Sequence, residues 1–253
     1  MTARDWRADR RAVFERDGYC CQRCGQSAPA DELRTHPVGA IPPERRTVHE
    51  SLLATVCDPC FSTLRGDQGE EALTRQSLFD LVRTLTKVQG QAIADTAGFA
   101  SLATDLPAAL ESGDPTNYPN RRRELLLTVE YVDRQVHSLP EDPPYAASSD
   151  LEAFREAAAD SQAEVRRVVE LVEALVAGLG RCHVCFDLRT GDEDRCSSCG
   201  TTHKRGERWR DDEGTMSFEA LYAAINGTLA ETSRRTESLT GHAMTLADSL
   251  TEE

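Results

Sequence analysis

Four Cys-x-x-Cys pairs constrain this chain more than any other feature. Cys21/Cys24 and Cys57/Cys60 are separated by 32 residues, and Cys182/Cys185 and Cys196/Cys199 by 10. A two-residue gap lets one tight turn aim two sulfurs at one ion, and four thiolates suit tetrahedral Zn²⁺. A fold that uses both sets must bring each pair onto its partner pair. The rival reading is redox disulfides, since Cys-x-x-Cys can also be redox-active. Against it, Met1 to Arg16 is rich in Arg and Asp and lacks the apolar run of a signal peptide. No stretch reaches the roughly 18 apolar residues of a membrane span. The expected setting is the cytoplasm, where thiols stay reduced and paired motifs of this kind hold metal. The expected cofactors are therefore two structural zinc ions, one on Cys21, Cys24, Cys57 and Cys60, the other on Cys182, Cys185, Cys196 and Cys199. Cys20 is the ninth thiol, and Cys21 is preferred to it because it keeps the regular spacing with Cys24.

The net charge is −14, but it is unevenly spread. Residues 1–66 hold 10 Arg against 9 Asp+Glu, a net of +1, which leaves 19 basic against 34 acidic residues, a net of −15, for the remainder. Lys87 and Lys204 are the chain's two lysines. An acidic, Lys-poor chain resembles proteins of salt-loving archaea, whose surfaces hold water in concentrated salt. On that reading the acidity says little about partners, and such salt would weaken any phosphate-driven binding.

Apolar periodicity predicts helices over about 70–139, 150–179 and 216–250. Leu78, Leu81, Leu85 and Val88 step by three and four. Leu125, Val129, Val132, Val136 and Leu139 do the same, as do Val165, Val168, Val172, Leu175 and Leu179. The last helix aligns Tyr222, Ile225, Leu229, Thr232, Thr236, Leu239, Ala243, Leu246 and Leu250 in a heptad seam with two threonines at its middle. Such a seam serves either packing within the chain, against Val165–Leu179, or a coiled-coil dimer. Linkers are expected near 111–120 and 140–149, where Gly113, Pro115, Pro140, Pro143 and Pro144 interrupt helices.

Residues 6–66 carry Arg16-Asp17-Gly18-Tyr19-Cys20-Cys21-Gln22-x-Cys24-Gly25, then Leu33-Arg34-Thr35-His36-Pro37-Val38, then Leu52 to Cys57-x-x-Cys60-Phe61. This segment, about a quarter of the chain, resembles the zinc-stapled HNH endonucleases. The resemblance implies a ββα-metal fold, a divalent cation and a His general base that activates water. Its ligand position falls on His36, its general-base position on Pro37, its Asn on Leu52 or Ser51, and its helix ligand on Phe61. Proline cannot accept a proton, so the resemblance implies a module that keeps its zinc thiolates without its catalytic set. His49 is a candidate substitute for a lost histidine. Arg4, Arg7, Arg10 and Arg11 recur on the first helix and are candidate phosphate contacts, with Arg45 and Arg46 opposite; interleaved Asp5, Asp9 and Glu15 suit a solvated mixed-charge face equally.

Residues 180–210 resemble a zinc ribbon, with Gly191 in the expected hairpin turn. Lys204, Arg205, Arg208 and Arg210 surround Trp209, which either stacks on a base or packs on a helix. The fold class expected is mostly α with small α+β zinc modules: an HNH-like domain at 1–66, a helical body at 70–179, the ribbon at 180–210 and a long C-terminal helix at 216–250. Three functions compete: an HNH-like zinc protein inactive as a nuclease that still contacts DNA, an active metal-dependent DNA endonuclease, and a zinc-stabilised helical scaffold that binds protein.

Overall fold

The computed structural model describes residues 6–40, 48–66, 74–113, 116–140, 148–189, 194–204 and 206–251. Among the described residues the fold is mostly helical, with one two-stranded sheet and two clusters of four cysteines. Its body is four long helices: α3 (Arg75–Ser112), α4 (Tyr118–His137), α5 (Ser148–Gly178) and α6 (Phe218–Thr251). Thr74 caps α3 by accepting the Ser77 N–H at 3.1 Å. Gly113 ends it in the left-handed conformation, at φ +75°. Pro119 then occupies the first turn of α4, where its missing N–H costs nothing.

The helices run up, down, up and down. One apolar cluster joins Phe99 to Leu106 of α3, Tyr118 to Val129 of α4, Val165 to Val176 of α5, and Leu221 and Ile225 of α6. A second joins Leu78 to Leu85, Val132 and Leu139, Leu151 to Ala158, and Leu239 to Leu250. Early residues of α3 and α5 thus meet late residues of α4 and α6. Ser249 Oγ donates to Asp150 at 2.6 Å, which fixes the antiparallel sense of α5 and α6.

The α6 seam is spent inside the chain, chiefly along α5 and also along α3. Ile225, Thr232, Leu239, Ala243, Leu246 and Leu250 are buried as the heptad requires. Near its start the buried positions are Leu221 and Thr228, while Tyr222 and Leu229 are half-buried. An undistorted α-helix drifts relative to a 3.5-residue repeat, so a strict heptad misplaces its end positions.

Between the two apolar clusters lies a polar layer. Gln89 of α3 donates to Ser161 Oγ of α5 at 2.6 Å, and the Gln162 amide donates to Gln89. Thr96 and Thr232 are fully buried, each bonding back to the carbonyl four residues earlier. The middle threonines of the seam therefore mark where the core changes character.

The N-terminal module comprises α1 (Trp6–Arg16), β1 (Leu33–Pro37), β2 (Leu53–Cys57) and α2 (Asp58–Arg65). The strands pair antiparallel, His36 opposite Ala54 and Pro37 opposite Leu53. Leu127 of α4 is fully buried in this module's core beside Phe14, Leu33, Val56 and Leu64. A segment this small gains much of its stability from docking on the bundle.

Gln89→Leu leaves Ser161 and Gln162 short of a partner and should cost about 1–3 kcal/mol. Adding Ser161→Ala and Gln162→Leu should recover most of that loss. Denaturant melts of the single and triple variants check this, and additive losses would contradict it.

Candidate metal centres

Each cluster is assembled from short turns of one pattern. In the first knuckle the Cys21 N–H donates to the Gln26 carbonyl at 2.9 Å, and the Gly25 N–H to the Cys21 carbonyl at 2.8 Å. Cys182 with Asp187 and Phe186, and Cys196 with Thr201 and Gly200, repeat both bonds. The pattern needs a left-handed residue after the second cysteine. Gly25 and Gly200 supply it at φ +75° and +74°, and Phe186 does so at φ +65°. The strain at Phe186 is offset by its ring, 5.4 Å from Tyr118 with the Arg181 guanidinium over it. Tyr118 also stacks on Phe99 at 5.5 Å and donates its hydroxyl to the His183 carbonyl at 2.8 Å, tying the ribbon to the bundle.

The second half of the first site comes from β2 and α2. Cys57 precedes α2 as its cap residue and Cys60 lies in the first turn. The knuckle is held to β2 by the Gln22 N–H on the Thr55 carbonyl at 2.8 Å. Arg16 and Asp17 do the rest. The Arg16 guanidinium donates to the carbonyls of Glu50 and Leu53, both at 2.7 Å, and Asp17 accepts the Thr55 N–H at 2.9 Å. Gly18 and Tyr19 then turn left-handed into the knuckle. The Arg-Asp-Gly-Tyr phrase is thus a structural clasp, a role that the sequence alone did not reveal.

Cys21, Cys24, Cys57 and Cys60 form one group and Cys182, Cys185, Cys196 and Cys199 the other, the sulfurs of each lying within 4.8 Å of one another. The sulfurs of Cys24 and Cys57 are 3.7 Å apart, those of Cys182 and Cys199 3.6 Å, and those of Cys185 and Cys196 3.5 Å. A tetrahedron with Zn–S bonds of about 2.3 Å has S···S edges of about 3.8 Å, far beyond a disulfide. Both sets fit a structural zinc ion. Each already favours one thiolate: Cys60's hydrogen bond pulls the Cys21 thiol down to about 4, and Cys182 and Cys185 hold Cys199 low. Cys60 is pushed up in turn, by Cys21 and by burial. Cys20 stands outside, its sulfur 3.1 Å from Ser27 Oγ.

The N-terminal module touches the second centre. Leu52, 1% exposed, packs against Cys182, Val184, Cys196 and Cys199, with Val48 beside it. Behind the ribbon a charged group is buried. Glu173 lies 2.6 Å from Arg122 and 2.5 Å from Lys204. Burial pushes the Glu173 carboxyl up, but Arg122 and Lys204 outweigh it and hold the group below its usual range. Burial holds the His183 imidazole down to about 4, so it is neutral at pH 7.

The positions implied by the HNH resemblance are occupied otherwise. His36 is 6% exposed, edge-on to Phe61 at 6.3 Å between ring centres. Its Nε2 lies 3.2 Å from a Glu130 carboxylate oxygen of α4, without hydrogen-bond geometry. His49 accepts the Ser51 N–H and caps a short 3-10 turn. Arg10 donates to the Leu33 carbonyl at 2.6 Å, and Arg11 pairs with Glu15 at 2.7 Å. Arg4, the Arg7 side chain, Arg45, Arg46, Gly191 and Arg205 lie outside what is described. The basic cluster of the ribbon is dispersed: Lys204 is bound to Glu173, Arg208 lies over Trp209, and Arg210 donates to the Gly214 carbonyl. Trp209 packs on the bundle core at the ribbon end.

Among the described residues no helix is long and apolar enough to cross a membrane. Compared with protein-family models, curated proteins and solved structures, the chain matches none.

Elemental analysis of protein purified without chelator should give about two zinc per chain. Cys24→Ser and Cys185→Ser should each lose one equivalent, and Cys185→Ser should also speed amide exchange around Leu52; exchange confined to the ribbon would contradict the contact. Phe186→Gly relieves backbone strain of about 1 kcal/mol but deletes a ring, so it should destabilise by a net of about 1–2 kcal/mol in chemical denaturation.

Proposed function

We propose that this protein is a zinc-stapled helical scaffold that binds partner proteins, and that residues 1–66 are an HNH-like module without nuclease activity. The observation that carries this reading is the use of the three former functional positions as packing. His36 lies between Phe61 and Glu130, Phe61 faces His36, and Leu52 is sealed against the ribbon cysteines. Nuclease chemistry requires a base within hydrogen-bond reach of an attacking water and an accessible cation beside the scissile phosphate. Pro37 supplies no base, and His36 is nearly closed to solvent.

Contact with DNA is a second reading, favoured by a groove of about 700 Å³ lined by Arg10, Arg11, Arg34, Phe14 and the exposed Tyr19. Its cations are largely committed, since Arg34 pairs with Asp58 and Arg11 with Glu15. The net charge of −14 also repels a polyanion at long range. Reversal of Arg11 and Arg34 to Glu, with binding to duplex DNA followed against salt, tests this face.

Plasmid incubated with the protein and Mg²⁺, Mn²⁺ or Ni²⁺ should stay intact. Nicking that His36→Ala abolishes would overturn the scaffold reading. Restoring Pro37→His, Leu52→Asn and Phe61→His together should add no cleavage. It should lower the melting temperature, because an amide at position 52 would be buried among sulfurs at a cost of about 1–3 kcal/mol.

A further inference from the structure

The outer seam between α3 and α6 is left open. Thr240, Ala243 and Ala247 of α6 are small and step by three and four, opposite Phe79, Val82 and Thr86 of α3. The result is a hollow of about 360 Å³ with almost wholly apolar walls. At its rim stands Met244, 64% exposed, the most exposed large apolar side chain among the described residues. An unbranched, polarisable side chain at such a rim adapts readily to a partner's surface.

The same rim carries Arg83 and Lys87. Among the described residues neither makes an ion pair. The neighbouring carboxylates of α3 are engaged elsewhere: Asp80 accepts from Gln76 and Asp95 from Gln91. The chain's other lysine, Lys204, is bound to Glu173. Two uncommitted cations beside an apolar hollow therefore stand on a chain with a net charge of −14. Across α3 the same two side chains border a cleft of about 800 Å³ lined also by Arg23, Asp80, Asp95 and Glu124.

We propose that this hollow receives an amphipathic helix from a partner protein, one whose apolar residues at i, i+3 or i+4, and i+7 are flanked by Asp or Glu. From Phe79 to Lys87 the hollow runs about 12 Å along α3, which is the length of two helical turns and matches that spacing. The apolar residues would fill the space above Ala243 and Ala247, and the carboxylates would meet Arg83 and Lys87. A second copy of this chain fits poorly, because a two-fold contact through the hollow would set Arg83 and Lys87 against their own counterparts. The inference rests on the scaffold reading and names the class of partner.

The probe is a designed, fluorescently labelled helix of about five turns with a leucine face and glutamate flanks, and a twin with lysine flanks. Anisotropy with the full zinc-loaded chain should show the glutamate helix binding about tenfold or more tightly than its twin. Arg83→Glu with Lys87→Glu should reverse that preference, and Met244→Glu should weaken both peptides while leaving the melt unchanged. Equal binding of the two peptides, or indifference to all three substitutions, would overturn the proposal. A dimer in sedimentation that Met244→Glu dissolves would assign the hollow to a second copy and overturn it likewise. Nuclease activity would sink the scaffold reading whatever the peptides do; failure of the peptides without cleavage sinks only the partner assignment.

Discussion

The demand of two metal ions for four sulfurs each is the constraint on which the remaining architecture hangs. The ribbon's knuckles are too short to bury a core, and a sequence of that length orders only when an ion supplies folding energy, about 10–16 kcal/mol for small zinc modules. Residues 180–210 form the connection between α5 and α6, so the ion that orders them also sets where α6 begins its return along α5. In the N-terminal module the ion ties a knuckle to the start of α2, and the clasp of Arg16 and Asp17 carries α1 to the same strand. Each centre thus joins segments that the hydrophobic effect alone would leave loose.

The bundle shows how polar residues specify an arrangement that apolar ones only stabilise. Two greasy layers with antiparallel helices would tolerate sliding by a turn. A layer built from Gln89, Ser161 and Gln162 does not, because a slip would bury unpaired amides and hydroxyls. The buried Arg122, Glu173 and Lys204 group works in the same sense at the ribbon end. Breaking such a group by removing one member leaves a buried charge without its partner, which is far costlier than never having placed it there.

Local chemistry was legible in the sequence, and long-range packing was not. The ligand sets could be read because a knuckle is a short turn with a fixed spacing, and the long helices because 3.6-residue periodicity is a property of adjacent turns. The helix break near Gly113 followed from the conformational freedom of glycine. The Leu52 contact with the ribbon spans more than a hundred residues and leaves no periodic trace. Nor does the meeting of His36 with Glu130, or the arrival of Leu127 in the core of the first module. The seam of α6 was visible, but two-fold pairing and internal packing demand the same heptad, so only the apolar faces of α3 and α5 decide between them. Trp209 was ambiguous for a related reason: an aromatic among arginines suits a nucleobase or a helix, and the neighbouring core of the bundle decides for the helix.

Packing at the positions that the HNH resemblance would assign to catalysis accords with the proposed module that keeps its zinc thiolates without a catalytic set. A catalytic histidine contributes to turnover and little to folding, whereas the thiolates contribute folding energy directly. With α4 over the hairpin, position 36 packs against Phe61 and Glu130, and a leucine at position 52 joins the N-terminal module to the ribbon centre. An amide at that place would need hydrogen-bond partners that the sulfurs and valines around it do not offer. Contact of the two modules through Leu52 leaves a joined face there and no open cleft, an arrangement that suits the proposed scaffold better than strand cleavage.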